Sequence, residues 1–461
     1  MIKLNKYIYW SDGLELRRYP NNTIILVKKD NIEGMPNRED IQMFTLNDTA
    51  AEIIQLIDGT KTYNEIISSL SSKYNESFSS IDEKVKYFLY NMSDTYNLKV
   101  NTQDYPKKTP VYLVDESTIY PTVASIELTN KCNLRCLHCY GDFGNVKHRV
   151  MSLDEATSLL SDLKNMGVKI VELTGGEMST HPKIKEILLH AVDLKFDQIS
   201  LLTNGLALTS EIKDIVIKNK SRIFIQIDLH SLDDNYLTWF TKVPNTLDKI
   251  KKNIKDLAKN NVQMRIATIV TRKNIDEIEE IADWVHNLGI KHFGVSPVVE
   301  LGRAEKSDRD LFINEEDAIK LEERLERIHR KYGNFLSIIE GDRSKNKNCG
   351  CVASHCVISS NGDIKICTMD NMEYFRINIG NVFKSNIKDI YDDNSEYINS
   401  FFNLRSPQID SIECANCDHK YFCSACILRG LVKAKKMGDK CLWYANKVPA
   451  LIKEKLTFED L

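Results

Sequence analysis

Three cysteines stand at C-x3-C-x2-C in Lys131-Cys132-Asn133-Leu134-Arg135-Cys136-Leu137-His138-Cys139-Tyr140, directly after an apolar, strand-like segment. Thiolates at this spacing suit iron–sulfur chemistry. A [4Fe-4S] cube is normally held by four cysteines, so three would leave one iron free to bind something else. Structural zinc is the rival reading, but such sites usually pair two C-x2-C-like halves, and no fourth ligand sits nearby at a usual spacing. A second field of nine cysteines fills the last quarter of the chain: Cys349, Cys351, Cys356, Cys367, the block Cys414-x2-Cys417-x5-Cys423-x2-Cys426, and Cys441. A zinc ribbon stays open for the 414–426 block, although its internal gap is shorter than usual zinc spacings.

The chain that must position these thiols has 461 residues, which favours two to three domains over a single core. Its hydrophobic fraction of 42% supports a large buried core, and 28% charged residues with a net charge of −3 give no electrostatic footprint for nucleic acid. The first residues lack the apolar stretch of a signal peptide, and no apolar run is long enough to span a bilayer. The expectation is a cytoplasmic protein with no membrane partner, whose twelve cysteines are metal ligands and not disulfides.

From Thr122 strand and helix alternate six times, which argues for an α/β domain with a parallel sheet. The expected strands are Ala124 to Leu128, Lys169 to Leu173, Gln198 to Leu202, Arg222 to Leu229, Gln263 to Val270 and Lys291 to Ser296. The first intervening helix opens with the capping box Ser152-Leu153-Asp154-Glu155 and stops at Gly167. Others cover roughly Lys183 to Leu194, Ser210 to Asn219, Leu247 to Lys259 and Ile275 to Asn287. A long charged helix, Asn314 to Tyr332, and a polar stretch, Gly341 to Asn348, lead into the second cysteine field, where Asn361-Gly362 between β-rich arms signals a hairpin.

The first hundred residues read as three short strands, Lys6 to Trp10, Leu14 to Tyr19 and Thr23 to Lys29, followed by three amphipathic helices. With no cysteine there, a small binding module is expected, linked onward through Asp104 to Thr109.

The cysteine motif, with His138 in the ring position, resembles that of the radical S-adenosylmethionine (SAM) enzymes. The resemblance implies a partial (βα)6 TIM-type barrel over 122–310, with a [4Fe-4S] cluster on Cys132, Cys136 and Cys139. SAM would chelate the free iron and be cleaved to a 5′-deoxyadenosyl radical that abstracts a substrate hydrogen. Thr174-Gly175-Gly176-Glu177 resembles the family's GGE motif, with Met178 where proline is common, and would hold the SAM amino group. Asn204, Gln226 and Asp228 fall where family members reach SAM's ribose or carboxylate, although Asn204 could instead face solvent or cap the next helix. Arg265, inside the fifth strand, is either a SAM carboxylate contact or one half of an internal ion pair. His230, Trp239 and Phe240 either shape the substrate mouth or pack. Gly302-Arg303-Ala304 resembles a GRA element of one subfamily.

The C-terminal field, 341–461, resembles the SPASM auxiliary iron–sulfur domain, joined to the barrel by a bridging helix within 311–340. By resemblance, Cys414, Cys417, Cys423 and Cys441 hold one auxiliary cluster, and Cys349, Cys367 and Cys426 another. The spacing from Cys423 to Cys426 is one residue shorter than the family's, and Cys351 and Cys356 are surplus, each either a fourth ligand or a small buried hydrophobe. Residues 1–105 resemble the PqqD-like, winged-helix-like α+β peptide-recognition domain through Leu46 to Thr60, Glu65 and Ile66. That implies capture of a leader peptide by strand addition. A DNA-binding winged helix is the rival, disfavoured because Thr60 to Tyr74 carries only Lys61 and Lys73 as basic residues.

Taken together, the order of domains implies a maturase of ribosomally made peptides that forms cysteine thioethers, with a leader-bearing precursor and an electron donor such as ferredoxin or flavodoxin as partners. Carbon–carbon crosslinking and decarboxylation use the same apparatus and remain alternatives, as does an iron–sulfur regulator that binds nucleic acid.

Overall fold

The computed structural model describes residues 5–11, 13–19, 22–28, 43–96, 98–109, 111–115, 118–145, 147–338, 349–372 and 379–455. The expected polar stretch Gly341 to Asn348 and Lys29, the last residue of the third expected strand, lie outside them. The chain divides into two compact units, Met1–Thr118 and Ile119–Leu461.

Among the described residues the first unit holds seven strands: β1 (Tyr7–Trp10), β2 (Gly13–Tyr19), β3 (Asn22–Lys28), β4 (Met43–Leu46), β5 (Asp58–Thr62), β6 (Val100–Gln103) and β7 (Val111–Asp115). They form two sheets, in the orders β5-β1-β6 and β4-β3-β2-β7. Three helices follow the expected pattern, Asp48–Leu56, Tyr63–Tyr74 and Phe78–Tyr96. Asn47 caps the first, and Thr62 with Glu65 closes a capping box on the second, so orphan amides at both starts are satisfied. Trp10, Ile54, Ile57, Tyr63, Ile66, Ile67 and Leu70 form the core, and the Trp10 indole donates to the Ile54 carbonyl at 3.0 Å. The unit runs past the expected end at 105 for two reasons. The stretch read as a linker is tied down, with the Lys107 and Thr109 amides donating to the Gly59 and Asp58 carbonyls, and β7 then pairs with β2.

The second unit is built on one sheet. Its strands are β8 (Val123–Glu127), β9 (Ile170–Thr174), β10 (Gln198–Thr203), β11 (Ile223–Asp228), β12 (Met264–Val270), β13 (His292–Pro297), β14 (Leu336–Ile338), β15 (His355–Ile358) and β16 (Ile364–Lys365), in the order β14-β13-β12-β11-β10-β9-β8-β15-β16. All neighbours are parallel except the β15–β16 hairpin. The six expected strands are its centre. The stretch 311–340 supplies more than a bridging helix: after Glu315–Tyr332 the chain enters the sheet as β14. At the other end β15 pairs with β8, so the cysteine-rich region is an extension of the barrel sheet itself. Because the two ends are different strands, the barrel is partial.

Helices cover the sheet by burying one stripe each. Leu247–Lys259 buries Leu247, Ile250, Ile254 and Leu257 and leaves Lys249, Lys252 and Lys255 exposed. Register sets the side chains of the opposite face in rows: Ser125 beside Glu172 beside Ser200, and Glu127 beside Thr174. Buried polar groups there need partners, and they have them. Ser125 bonds both Glu172 and His355, and the Lys365 ammonium donates to Glu127 at 2.6 Å with both side chains almost fully buried. The Lys365–Glu127 pair fastens the hairpin strand β16 to the strand that feeds the first cysteine loop. Among the described residues no helix is long and apolar enough to cross a membrane.

Removing one partner of a buried ion pair strands the other charge. Lys365→Met should therefore lower stability by about 3–5 kcal/mol, measured as a fall in the unfolding midpoint of the anaerobically loaded protein. Glu127→Leu combined with Lys365→Met should recover most of that loss; equal losses in single and double variants would show that Lys365 acts through something other than this pair.

Candidate metal centres and active site

The first cysteine loop leaves β8 and has little regular structure, so its backbone is satisfied from neighbouring segments. The Arg135 and Leu137 amides donate to the Thr241 and Phe240 carbonyls at 2.8 and 2.9 Å, using the end of the helix Asp234–Thr241. Arg303 does more. Its guanidinium donates to the Asp142 carboxylate at 2.7 Å and to the Cys136 and Phe143 carbonyls at 2.8 Å, while its amide donates to the Cys139 carbonyl. Gly302 beside it has φ +60°, and a Cβ there would lie 2.1 Å from the Tyr140 carbonyl oxygen.

Gly175 and Gly176 hold the same loop from the other side. The Gly176 and Glu177 amides donate to the Thr129 and Lys131 carbonyls at 2.7 and 2.8 Å. A Cβ on Gly175 or Gly176 would stand 2.2 or 2.3 Å from those oxygens. The two glycines are thus required by the close approach of the cysteine loop, a reason independent of any ligand. The buried Glu177 carboxylate accepts from the Ser179 and Thr203 hydroxyls at 2.6 Å each and from the Asn204 amide at 2.7 Å. The Asn204 side chain in turn donates to Asn133 at 2.7 Å, between the first two cysteines.

Within this frame Cys132, Cys136 and Cys139 lie within electrostatic reach of one another. Burial pushes the Cys132 thiol up to about 11 and raises Cys136 and Cys139 as well, with the Arg303 charge opposing it at the last two. Buried thiols of this kind become thiolates when a bound cation replaces the proton. Among the described residues no three or more His, Cys, Asp or Glu side chains converge for one metal ion. Ligands of a cube surround it, each on its own iron, so a cluster asks for a ring of thiols and not a convergent set.

His138 stacks on Phe240 at 4.9 Å with rings nearly parallel and meets His230 edge-on at 5.2 Å. Burial holds its imidazole down at about 4, so it is neutral near pH 7, and its Nδ1 is buried without a partner. Phe240 is fully buried and packs under the loop; Trp239 lies beside Tyr236 and under the Lys273 ammonium. Gln226 and Arg265 are neighbours in register, and the Arg265 guanidinium closes on the Gln226 carbonyl oxygen. Gln226 also donates to Asp228, whose carboxyl burial raises to about 7.

The later cysteines form two groups. Cys423 lies within electrostatic reach of Cys414, Cys417 and Cys441, and all four line a cavity of about 310 Å³. Cys349, Cys367 and Cys426 form the other group. The missing residue between Cys423 and Cys426 is absorbed by Ala425, whose φ of +60° turns the chain between them. Cys426 then serves as N-cap of the helix Ile427–Met437, its sulfur accepting from the Arg429 amide at 3.5 Å. The GRA resemblance singles out Arg303 in the sequence, but not its part here, since its Asp142 partner lies 161 residues away.

Residues 126–285 match the Radical SAM superfamily, residues 35–95 match the coenzyme PQQ synthesis protein D (PqqD) family, and residues 349–418 match the SPASM iron–sulfur cluster-binding domain. The antilisterial bacteriocin subtilosin biosynthesis protein AlbA of Bacillus subtilis is 27% identical over 446 residues, 95% of this chain and 96% of that protein. The AdoMet-dependent heme synthase of Methanosarcina barkeri is also 27% identical, over 67% of this chain and 92% of its own. The crystal structure of Streptococcus suis SuiB bound to precursor peptide SuiA has the same fold, with a TM-score of 0.60 at 18% identity over 92% of this chain and 97% of that one.

Hydrogen bonds from a charged group contribute about 1.5–3 kcal/mol each. Arg303→Lys, which keeps the charge but not the fork, should therefore speed iron loss from the first centre to a chelator by about tenfold or more. The check is a chelator time course of Arg303→Lys against the parent protein, with the iron released by protein carrying Cys132→Ala, Cys136→Ala and Cys139→Ala subtracted as the auxiliary contribution; an unchanged rate would mean that the fork does not hold the loop.

Proposed function

We propose that this radical SAM enzyme, with its PqqD and SPASM domains, modifies a ribosomally made precursor peptide by joining cysteine sulfur to a carbon of another residue. The observation that carries the reading is the match to AlbA, a bacteriocin biosynthesis protein, along 95% of this chain, whereas the match to the heme synthase covers 67%. The fold shared with peptide-bound SuiB supports it.

In this reading Cys132, Cys136 and Cys139 hold a [4Fe-4S] cluster whose fourth iron takes SAM. When bound, the pair would supply the radical chemistry that abstracts a hydrogen atom from a peptide carbon. The chain's own residues do the positioning. Arg303 and the Gly175-Gly176 backbone fix the loop, and Glu177 fixes Asn204 against it. Neutral His138, its ring stacked on Phe240, would shape the wall beside the three cysteines against which SAM lies. Asp228 and Gln226 are polar partners for SAM's ribose or carboxylate, and Arg265 acts through Gln226. The first unit binds the leader, with β4, β5, β6 and β7 as its sheet edges. Forming the sulfur–carbon bond removes a hydrogen atom from carbon, and a proton and an electron with the thiol. The auxiliary clusters, one on Cys414, Cys417, Cys423 and Cys441, are suited to take that electron. A ferredoxin or flavodoxin supplies the electron that starts the cycle.

Incubated with SAM, reductant and a cysteine-bearing precursor, the enzyme should remove two hydrogens from the peptide for each thiol that becomes resistant to alkylation. Loss of two hydrogens with all thiols still reactive would point to carbon–carbon crosslinking, and loss of carbon dioxide to decarboxylation. Replacing Cys132, Cys136 and Cys139 with alanine should abolish both 5′-deoxyadenosine release and peptide modification; persistence of either would overturn the assignment of the first cluster.

A further inference from the structure

By spacing, Cys351 and Cys356 are equivalent candidates to complete the group of Cys349, Cys367 and Cys426. The fold separates them. Cys356 lies in β15 opposite Ala124 of β8, fully buried, and its polar neighbour is the Tyr391 hydroxyl. Its strand neighbour His355 reaches Ser125 on the other face of the sheet, so Cys356 is turned toward the helix layer and away from the other thiols. It behaves as a small core residue.

Cys351 is placed otherwise. The segment from Cys349 to His355 curls tightly, with φ +76° at Gly350 and +65° at Val352, and the His355 amide closes it onto the Gly350 carbonyl at 2.8 Å. A left-handed conformation at a β-branched residue is disfavoured and persists only where the surroundings impose it. Here the buried Tyr391 hydroxyl donates to the Val352 carbonyl at 2.6 Å. The curl puts the Cys351 side chain, 3% exposed, against the Cys349 thiol in a hydrogen bond and within electrostatic reach of Cys367 and Cys426. Although Cys349 is exposed as a residue, its thiol is turned inward to this group.

We propose that Cys349, Cys351, Cys367 and Cys426 together enclose one auxiliary iron–sulfur cluster, with Cys351 as the fourth ligand and Cys356 outside it. Four thiolates leave no iron of a cube open. A cluster so held can accept or relay an electron but cannot hold the substrate's sulfur. This chain would then position the peptide thiol by other contacts, whichever bond it makes.

The test uses full-length protein lacking the first cluster through Cys132→Ala, Cys136→Ala and Cys139→Ala, so that the signals come from the auxiliary clusters alone. Electron paramagnetic resonance of the reduced protein, with and without added 2-mercaptoethanol, is the readout. The parent spectrum should not respond to the thiol, and Cys356→Ala should leave it unaltered. Cys351→Ala should change it and make it respond, because an iron is now open. Should Cys351→Ala fail to fold, Cys351→Ser tests the same point, since an oxygen ligand should shift the midpoint potential of one cluster. A parent spectrum that responds to the thiol, or a Cys351 variant indistinguishable from the parent, would overturn the proposal.

Discussion

The loop that carries Cys132, Cys136 and Cys139 has little helix or sheet, and an irregular buried backbone must find its hydrogen bonds elsewhere. The rest of the second unit answers that constraint. The loop between β8 and the helix Leu153–Asn165 is held on one side by the glycine pair after β9, on another by the end of the helix Asp234–Thr241, and on a third by Arg303 after β13. These anchors come from three separate βα connections, at the ends of strands that the sheet aligns. The open sheet thereby turns distant segments into a single rigid frame, the arrangement that lets βα loops carry chemistry on barrel scaffolds.

A second constraint lies beneath the loop, where the sheet's inner face carries buried and partly buried acidic side chains. Glu127, Glu172 and Asp228 would be costly there alone. Each has a specific answer: Lys365 for Glu127, Ser125 and His355 for Glu172, and Gln226 for Asp228. Two of these answers come from beyond the six-stranded centre, through His355 in β15 and Lys365 in β16. The cysteine-rich region thus completes the barrel's electrostatics as well as its sheet.

How much of this is legible in sequence depends on the range of the signal. The six central strands and their helices are, because apolar runs and caps are local; Ser152 with Glu155 forms the expected capping box. The strands β5 and β6 are missed because Asp-Gly-Thr-Lys-Thr and Val-Asn-Thr-Gln have neither alternation nor β-branched runs, and they become strands only by flanking β1. The cysteines announce a metal site by type and spacing, but their grouping is a property of the fold. Nothing local distinguishes Cys351 from Cys356, and the short gap before Cys426 reads as a defect until Ala425 turns the chain. The glycines of the GGE motif are legible as special positions, while the oxygens that forbid a side chain there belong to residues 129 and 131.

The turn at Ala425 also ties the two later thiol groups mechanically. Cys423 faces one group and Cys426 the other, and Arg429 touches the segment between them, accepting from the Cys423 thiol through its carbonyl and donating to the Ser424 carbonyl and the Cys426 sulfur. The groups differ in exposure. In one, Cys414 and Cys423 are buried and, with Cys417 and Cys441, line a cavity beside the exposed Ile412 and Leu442; in the other, Cys351 is buried, Cys349 is exposed and the Cys426 sulfur accepts from a backbone amide. Solvent exposure, net charge and hydrogen bonds to sulfur set the potential of a cluster. Clusters held by these two groups would therefore sit in different surroundings, with the four residues from Cys423 to Cys426 as the backbone that joins them.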